Sequence, residues 1–150
     1  VKYWLFKTEP DVFGIDDLKQ QKTASWEGVR NYQARNFLRQ CAVGDEVFIY
    51  HSSCKLIGIA GIGKIVRTAY PDETQFDPGN SAYDADSKMD NPRWSTVDVA
   101  FVKKFSTVIP LQKLKEHPGL QEMILVQKGS RLSVMPVTAG EWKIIMAMAD

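Results

Sequence analysis

The chain has 150 residues, about one domain's worth of protein, since single cores stop growing near ~250 residues. Hydrophobic residues at 44% and charged residues at 25% supply a sizeable core and exclude wholesale disorder. The formal net charge of +1, from 19 Lys and Arg against 18 Asp and Glu, gives by itself no reason to expect a polyanionic partner.

In chain order, Lys2 to Lys7 is aromatic-rich and alternates weakly, which predicts a strand that starts the fold. Its apolar run is too short for a secretory signal, and no stretch approaches the ~20 apolar residues that span a bilayer. Two cysteines, Cys41 and Cys54, are too few for a disulfide scaffold and have no zinc-like spacing. The expectation is a soluble chain without membrane partner, metal or cofactor, in a reducing cytoplasmic setting, or a nuclear one if the source is eukaryotic.

Asp16 to Gln21 reads as a short helix. A second begins after Asn31, a fitting N-cap, with Ala34, Phe37, Leu38 and Cys41 on one face. Gly44 and Asp45 make a turn, and Glu46 to His51, apolar on both faces, predicts a buried strand. Ile57 to Val66 is the next strand. Its glycines, Gly58, Gly61 and Gly63, run in the order G-x-x-G-x-G with no helix after them, which excludes a dinucleotide loop. They mark instead a bulge or a place where other backbone or a ligand comes close, as at the tight corners of a small barrel.

Pro71 to Pro92 is a long polar loop, and Ser95 to Phe105 resumes strand alternation. Pro110 to Leu114 starts a short helix that His117-Pro118-Gly119 stops, and a further helix includes Glu122 to Val126. Thr138 and Glu141 form a capping box for a last helix with Trp142, Ile145, Met146 and Ala149 on one stripe. Strands separated by short helices predict a small mixed α/β barrel rather than a doubly wound sheet.

Charge is unevenly placed. Residues 71–92 hold Asp72, Glu73, Asp77, Asp84, Asp86 and Asp90 against Lys88, a local charge of −5 that leaves +6 on the remainder. If this loop projects away, the body offers a basic face to a phosphodiester backbone, and Trp26, Trp94 and the basic residues share a face that the loop avoids. A solvated surface of mixed charge is the competing reading.

His51 and Cys54 suggest a thiol with its base, but three residues apart in a strand they face opposite ways unless Ser52 and Ser53 turn the chain. A half-buried thiol at a strand end is the alternative. More informative is Trp26-Glu27-Gly28-Val29-Arg30-Asn31-Tyr32-Gln33-Ala34-Arg35-Asn36, which brings an aromatic ring, two guanidiniums and several amides to a loop-to-helix junction. Gly129-Ser130-Arg131-Leu132-Ser133 adds hydroxyl and cationic donors, and Asn91-Pro92-Arg93-Trp94 a further indole. Trp4 and Trp142 sit in periodic elements and belong to the core. Trp26 and Trp94 sit in polar loops, where they either sandwich a planar base or cap the core beneath the loops.

At these residues, and at Tyr3-Trp4-Leu5-Phe6-Lys7-Thr8-Glu9-Pro10 and Tyr50-His51-Ser52-Ser53-Cys54-Lys55, the sequence resembles the EVE domain family over nearly its whole length. The resemblance implies one PUA-like domain over residues 1–150, a small mixed β-barrel surrounded by short helices and related to ASCH and YTH domains. It implies a non-enzymatic reader of a flipped, modified base, with modified cytosine in DNA favoured over a modified base in RNA; the sequence does not fix the oligomeric state, and a monomer is the favoured expectation. Carried onto this chain, the base site comprises Trp26, Gly28, Val29, Asn31, Tyr32, Ser53, Cys54, Trp94, Ser130, Leu132 and Ser133. Phosphate contacts fall to Lys7, Arg30, Arg35, Lys55 and Arg131. The alternatives are a small hydrolase or transferase using Cys54 or Ser53 in the same pocket, and a nucleoside sensor that needs no phosphate backbone.

Overall fold

The computed structural model describes residues 1–149. Six strands form one mixed sheet in the order β2-β5-β4-β3-β1-β6, where β1 is Tyr3–Thr8, β2 Thr23–Ser25, β3 Glu46–His51, β4 Gly58–Pro71, β5 Ser95–Pro110 and β6 Val134–Val137. Only β1 and β3 run parallel, the chain between them crossing through α1 (Ile15–Gln21), β2 and α2 (Tyr32–Leu38). The sheet curls around its core but is not closed, so the expected barrel is an open one with β2 and β6 at its ends.

The two long strands outrun the expected Ile57–Val66 and Ser95–Phe105 because hydrogen-bonded pairing continues after the apolar pattern lapses. The glycines of β4 make that pairing sterically possible. A Cβ at Gly58 would stand 2.0 Å from the Ile109 carbonyl oxygen, one at Gly61 2.3 Å from that of Lys103, and one at Gly63 2.5 Å from a Val99 methyl. The β4–β5 register shifts beside Gly61 and Gly63, the bulges that the sequence anticipates.

Asn31 caps α2 by accepting from the Ala34 N–H at 3.0 Å, and Thr138 with Glu141 closes the box at the start of α4 (Ala139–Met148). The expected helix at Glu122–Val126 is a single 3-10 turn at Ile124–Val126, following another at Pro118–Leu120 and the short α3 (Leu111–Glu116). Trp4 and Trp142 are core residues: Trp142 stacks on Phe48 with ring centroids 3.7 Å apart, and the Trp4 indole N–H donates to the buried Asp45 at 2.9 Å. Asp45 also caps the α2–β3 turn by accepting from the N–H groups of Ala42 and Lys2. Burial raises its pKa, but these three donors outweigh that and hold it below the usual carboxylate value.

Candidate nucleic-acid interface

Three segments meet beyond the end of β1. The strand itself delivers Lys7 and Thr8, the stretch between β2 and α2 delivers Trp26 to Arg30, and the turn ahead of β6 delivers Arg131 and Ser133. The Lys7 N–H donates to the Ser133 carbonyl at 2.8 Å, which extends the β1–β6 ladder and fixes that turn. Between the segments lies a cleft of about 420 Å³, within the size range of small-ligand sites. Its inner wall is Phe13, Ser25, Trp26 and Val29, and it widens into a basin reached by Glu9, Ser52, Ala82 and Arg131.

Trp26 is one of the lining residues. It is 7% exposed, tilted against Phe6 at 5.4 Å and edge-on to Phe13 at 5.9 Å, and its backbone N–H donates to the Val97 carbonyl. These contacts fix the ring before any ligand arrives. Lys7 is half-buried at the junction of this cleft with a neighbouring one, and burial lowers its pKa. Glu27 shifts the other way: burial, then the charges of Asp72 and Asp98, raise it against the opposing Arg30. The cleft therefore holds both a donor and an acceptor whose charged forms are weakened by their surroundings.

The wall at Gly28 and Arg30 is secured by Asp72, which is wholly buried. Its carboxylate accepts from the Gly28 N–H at 2.8 Å, from Arg30 Nη1 at 3.1 Å, and from the Thr74 N–H and hydroxyl. Burial alone would raise its pKa, yet these hydrogen bonds outweigh it and hold the group below the usual range. Arg30 further donates to the Ala82 carbonyl and the Thr74 hydroxyl.

The acidic segment therefore does not project away from the tryptophans and cations: it folds back onto them. Trp94, unlike Trp26, does not line the cleft or its basin. It is 5% exposed, stacks on Tyr32 at 4.9 Å and donates its indole N–H to Asp84 at 2.7 Å, while Arg93 pairs with the same carboxylate. Its polar sequence neighbours are the groups that enclose it, so Trp26 and Trp94 do not sandwich a common space.

Of the residues singled out in the sequence, Trp26, Gly28, Val29, Ser133, Lys7, Arg30 and Arg131 meet in the cleft and basin. Ser130 lines the neighbouring cleft with Tyr50, Lys115 and Lys128. Tyr32 and Arg35 line a third beside Arg39 and Arg93. The Asn31 side chain is occupied as a helix cap, and Leu132 is buried in the core. Ser53, Cys54 and Lys55 lie in the β3–β4 turn outside these three clefts, with Ser53 at φ +53° and the Cys54 thiol directed at the Leu56 carbonyl. His51 Nε2 accepts from the Ile15 N–H at 3.1 Å at the start of α1, so that lone pair is not available to activate a thiol. Sequence reasoning missed Phe13, Ser25 and Glu27 as lining residues, and Asp72 as the strut. Glu27 was legible inside the tryptophan motif, whereas Gly28 and Arg30, the cleft-wall partners of Asp72, lie more than forty residues from it.

The sequence model of the EVE domain matches residues 2–148. The chain belongs to the EVE domain family. Human thymocyte nuclear protein 1 is 46% identical over 167 residues, an alignment that takes in 99% of this EVE domain and 74% of the human protein. A crystal structure of a protein from Pseudomonas putida superposes with a TM-score of 0.96 at 56% identity, over 97% of this chain and 98% of the other. The human THYN1 protein, in a crystal structure with DNA containing 5-methylcytosine, superposes with a TM-score of 0.94 at 46% identity, over 99% and 97% of the two chains. Among the described residues of this EVE domain, no helix is long and apolar enough to cross a membrane.

Proposed function

We propose that this EVE domain is a non-enzymatic reader of modified cytosine in DNA, and that it draws the base out of the duplex into the cleft lined by Trp26. The observation that carries this reading is an aromatic-lined cleft rimmed by Lys7, Arg30 and Arg131, in a chain 46% identical to a protein crystallised with 5-methylcytosine-containing DNA. Phe13 and Trp26 offer stacking surface, and Val12 and Val29 offer apolar space for an added methyl group. In this reading Glu27 accepts from the exocyclic amine of cytosine, while Lys7 and Ser133, which line the same cleft, donate to the ring nitrogen and carbonyl of that edge. Such a reader works in the compartment that holds the DNA, the cytoplasm of a bacterium or the nucleus of a eukaryote. It works as a monomer.

Magnitudes decide how the contributions divide. Extruding a base costs a few kcal/mol, and stacking returns about 1–3 kcal/mol, so these roughly cancel. Net affinity then comes from phosphate contacts and weakens with salt. One buried methyl contributes about 0.8 kcal/mol, or roughly fourfold. A larger preference for the modified base has to come from the shape of the cleft.

The test is a titration, followed by tryptophan fluorescence, with duplexes that differ only in one cytosine methyl, at two salt concentrations. The expected result is tighter binding of the methylated duplex and weakening of both by salt. Trp26→Leu keeps apolar volume but removes the stacking surface, and should cost about 1–3 kcal/mol of binding to the methylated duplex. Indifference of the wild-type protein to both methylation and salt would overturn the reading.

A further inference from the structure

A second concave surface, about 380 Å³, lies between α2 and the end of the acidic segment, with Tyr32, Arg35, Arg39, Lys88, Asn91 and Arg93 among its lining residues. Four cations converge there, and among the described residues Asp86 is the one carboxylate in the lining. Arg93 is paired with Asp84. Arg35 and Arg39 are held differently. Arg35 donates to the Arg93 carbonyl at 3.0 Å and to the Asn36 side chain, and Arg39 donates to the Ser95 hydroxyl at 3.0 Å and to the carbonyls of Pro92 and Arg93. Among the described residues, all these acceptors are neutral. The bonds fix both guanidiniums without cancelling their charge. The pKa of Arg39 is lowered by burial and then by Arg35, the mark of two cations held close together.

Beside them, Tyr32 is 53% exposed, and its ring is held by the stack on Trp94 and by the Arg35 guanidinium, which stands 4.9 Å from its centroid and 6.0 Å from that of the Trp94 ring, and so not across the Tyr32 ring from it. An exposed aromatic already fixed in place is a stacking surface for a sugar or base at low entropic cost. Trp94 links the two sites, since its ring stacks on Tyr32 and also lies 5.5 Å from the Arg30 guanidinium of the base cleft.

We infer that this cleft is a second phosphodiester site, in which Arg39 and Lys88, backed by Arg35, hold a backbone phosphate and Tyr32 supports the nucleoside next to it. The inference rests on the reading of the chain as a DNA binder, but it is independent of what the base cleft selects. It assigns sequence-neutral grip to the arginine cleft and discrimination to the Trp26 cleft.

The experiment uses the full chain with Lys88→Gln, Arg39→Gln and the double substitution, titrated against methylated and unmethylated duplexes over a range of salt. Loss of that one phosphate contact should lower the slope of log affinity against log salt by about 0.9 in the double variant, and by less in each single variant. The affinity loss should be the same for both duplexes. Arg39 also braces the 92–95 backbone, so thermal melts accompany the binding curves, and the exposed Lys88→Glu serves where Arg39→Gln melts early, with a loss of about tenfold expected. Wild-type slope and affinity in folded Lys88→Glu and Arg39→Gln proteins would overturn the proposal. So would saturable binding of deoxycytidine monophosphate that Arg39→Gln abolishes while duplex affinity stays unchanged, because the site would then serve a free nucleotide. A wild-type protein indifferent to methylation, but with a salt slope that the double variant reduces, would remove the base-reading function and support the second site.

Discussion

Asp72 has no surface of its own, yet it sets the shape of a surface. It anchors the acidic segment to the wall of the Trp26 cleft through Gly28 and Arg30, pairing a largely buried guanidinium with a wholly buried carboxylate. Removing one partner of such a pair leaves the other desolvated without compensation, which costs far more than losing an exposed ion pair. Asp72→Ala should therefore lower unfolding stability by about 3 kcal/mol or more, read from the midpoint of a urea titration at unchanged slope. Arg30→Gln, at a side chain that still reaches water, should cost less. At this scale the sequence was legible where a residue's partners are local. Asn31 caps Ala34 and Thr138 caps Glu141 as their spacing dictates. Trp94 was not legible, because the groups that enclose it, Tyr32 and Asp84, come from separate segments and give a buried indole the polar neighbourhood of an exposed one.

Among the elements, β4 depends most on its own composition. Bulges beside Gly61 and Gly63 let β5 approach so closely that no side chain fits between the strands. Gly61→Ala would set a Cβ 2.3 Å from the Lys103 carbonyl oxygen and 2.8 Å from Ile15, so backbone has to move. The expected cost is about 3 kcal/mol or more, seen as a lower Tm or loss of soluble protein. Gly140 in α4 gives the opposite sign, since a Cβ there meets nothing within 4 Å, and Gly140→Ala should stabilise by about 0.5–1 kcal/mol. The glycine pattern predicted close approach correctly because the cause lies in the glycines themselves. The short strands β2 and β6 escaped notice: three and four residues, one of them with Pro136 inside, are too few for alternation to register.

At the level of the molecule, the near-neutral charge conceals an arrangement rather than a lack of one. Asp72 and Asp84 are engaged by Arg30 and Arg93 at the tryptophans, while Arg35 and Arg39 keep their charge beside them. The same engagement governs the response to pH. His51 has its pKa lowered by burial, so the unfolded chain binds the proton more readily, and stability declines as pH falls below the ordinary histidine value of about 6.5. Asp45 and Asp72 are held below their ordinary value, so their contribution is complete above about pH 4 and is lost as pH falls through their lower folded-state values. Urea titrations across pH should show two successive declines. His51→Gln, which keeps an acceptor for the Ile15 N–H, should flatten the first and leave the second. The order of the sheet also bears on how the protein is made. β1 lies between β3 and β6, with Tyr3 opposite Val137, and Tyr3 further stacks on Trp142 of the last helix. At bacterial or eukaryotic translation speeds of about 5–20 residues per second, roughly ten seconds separate the emergence of that strand from that of its outer neighbour. Throughout that interval one edge of β1 stands open on the ribosome, ready to pair with the wrong chain, and a chaperone that shields Tyr3–Thr8 would have its greatest effect on the yield of this protein.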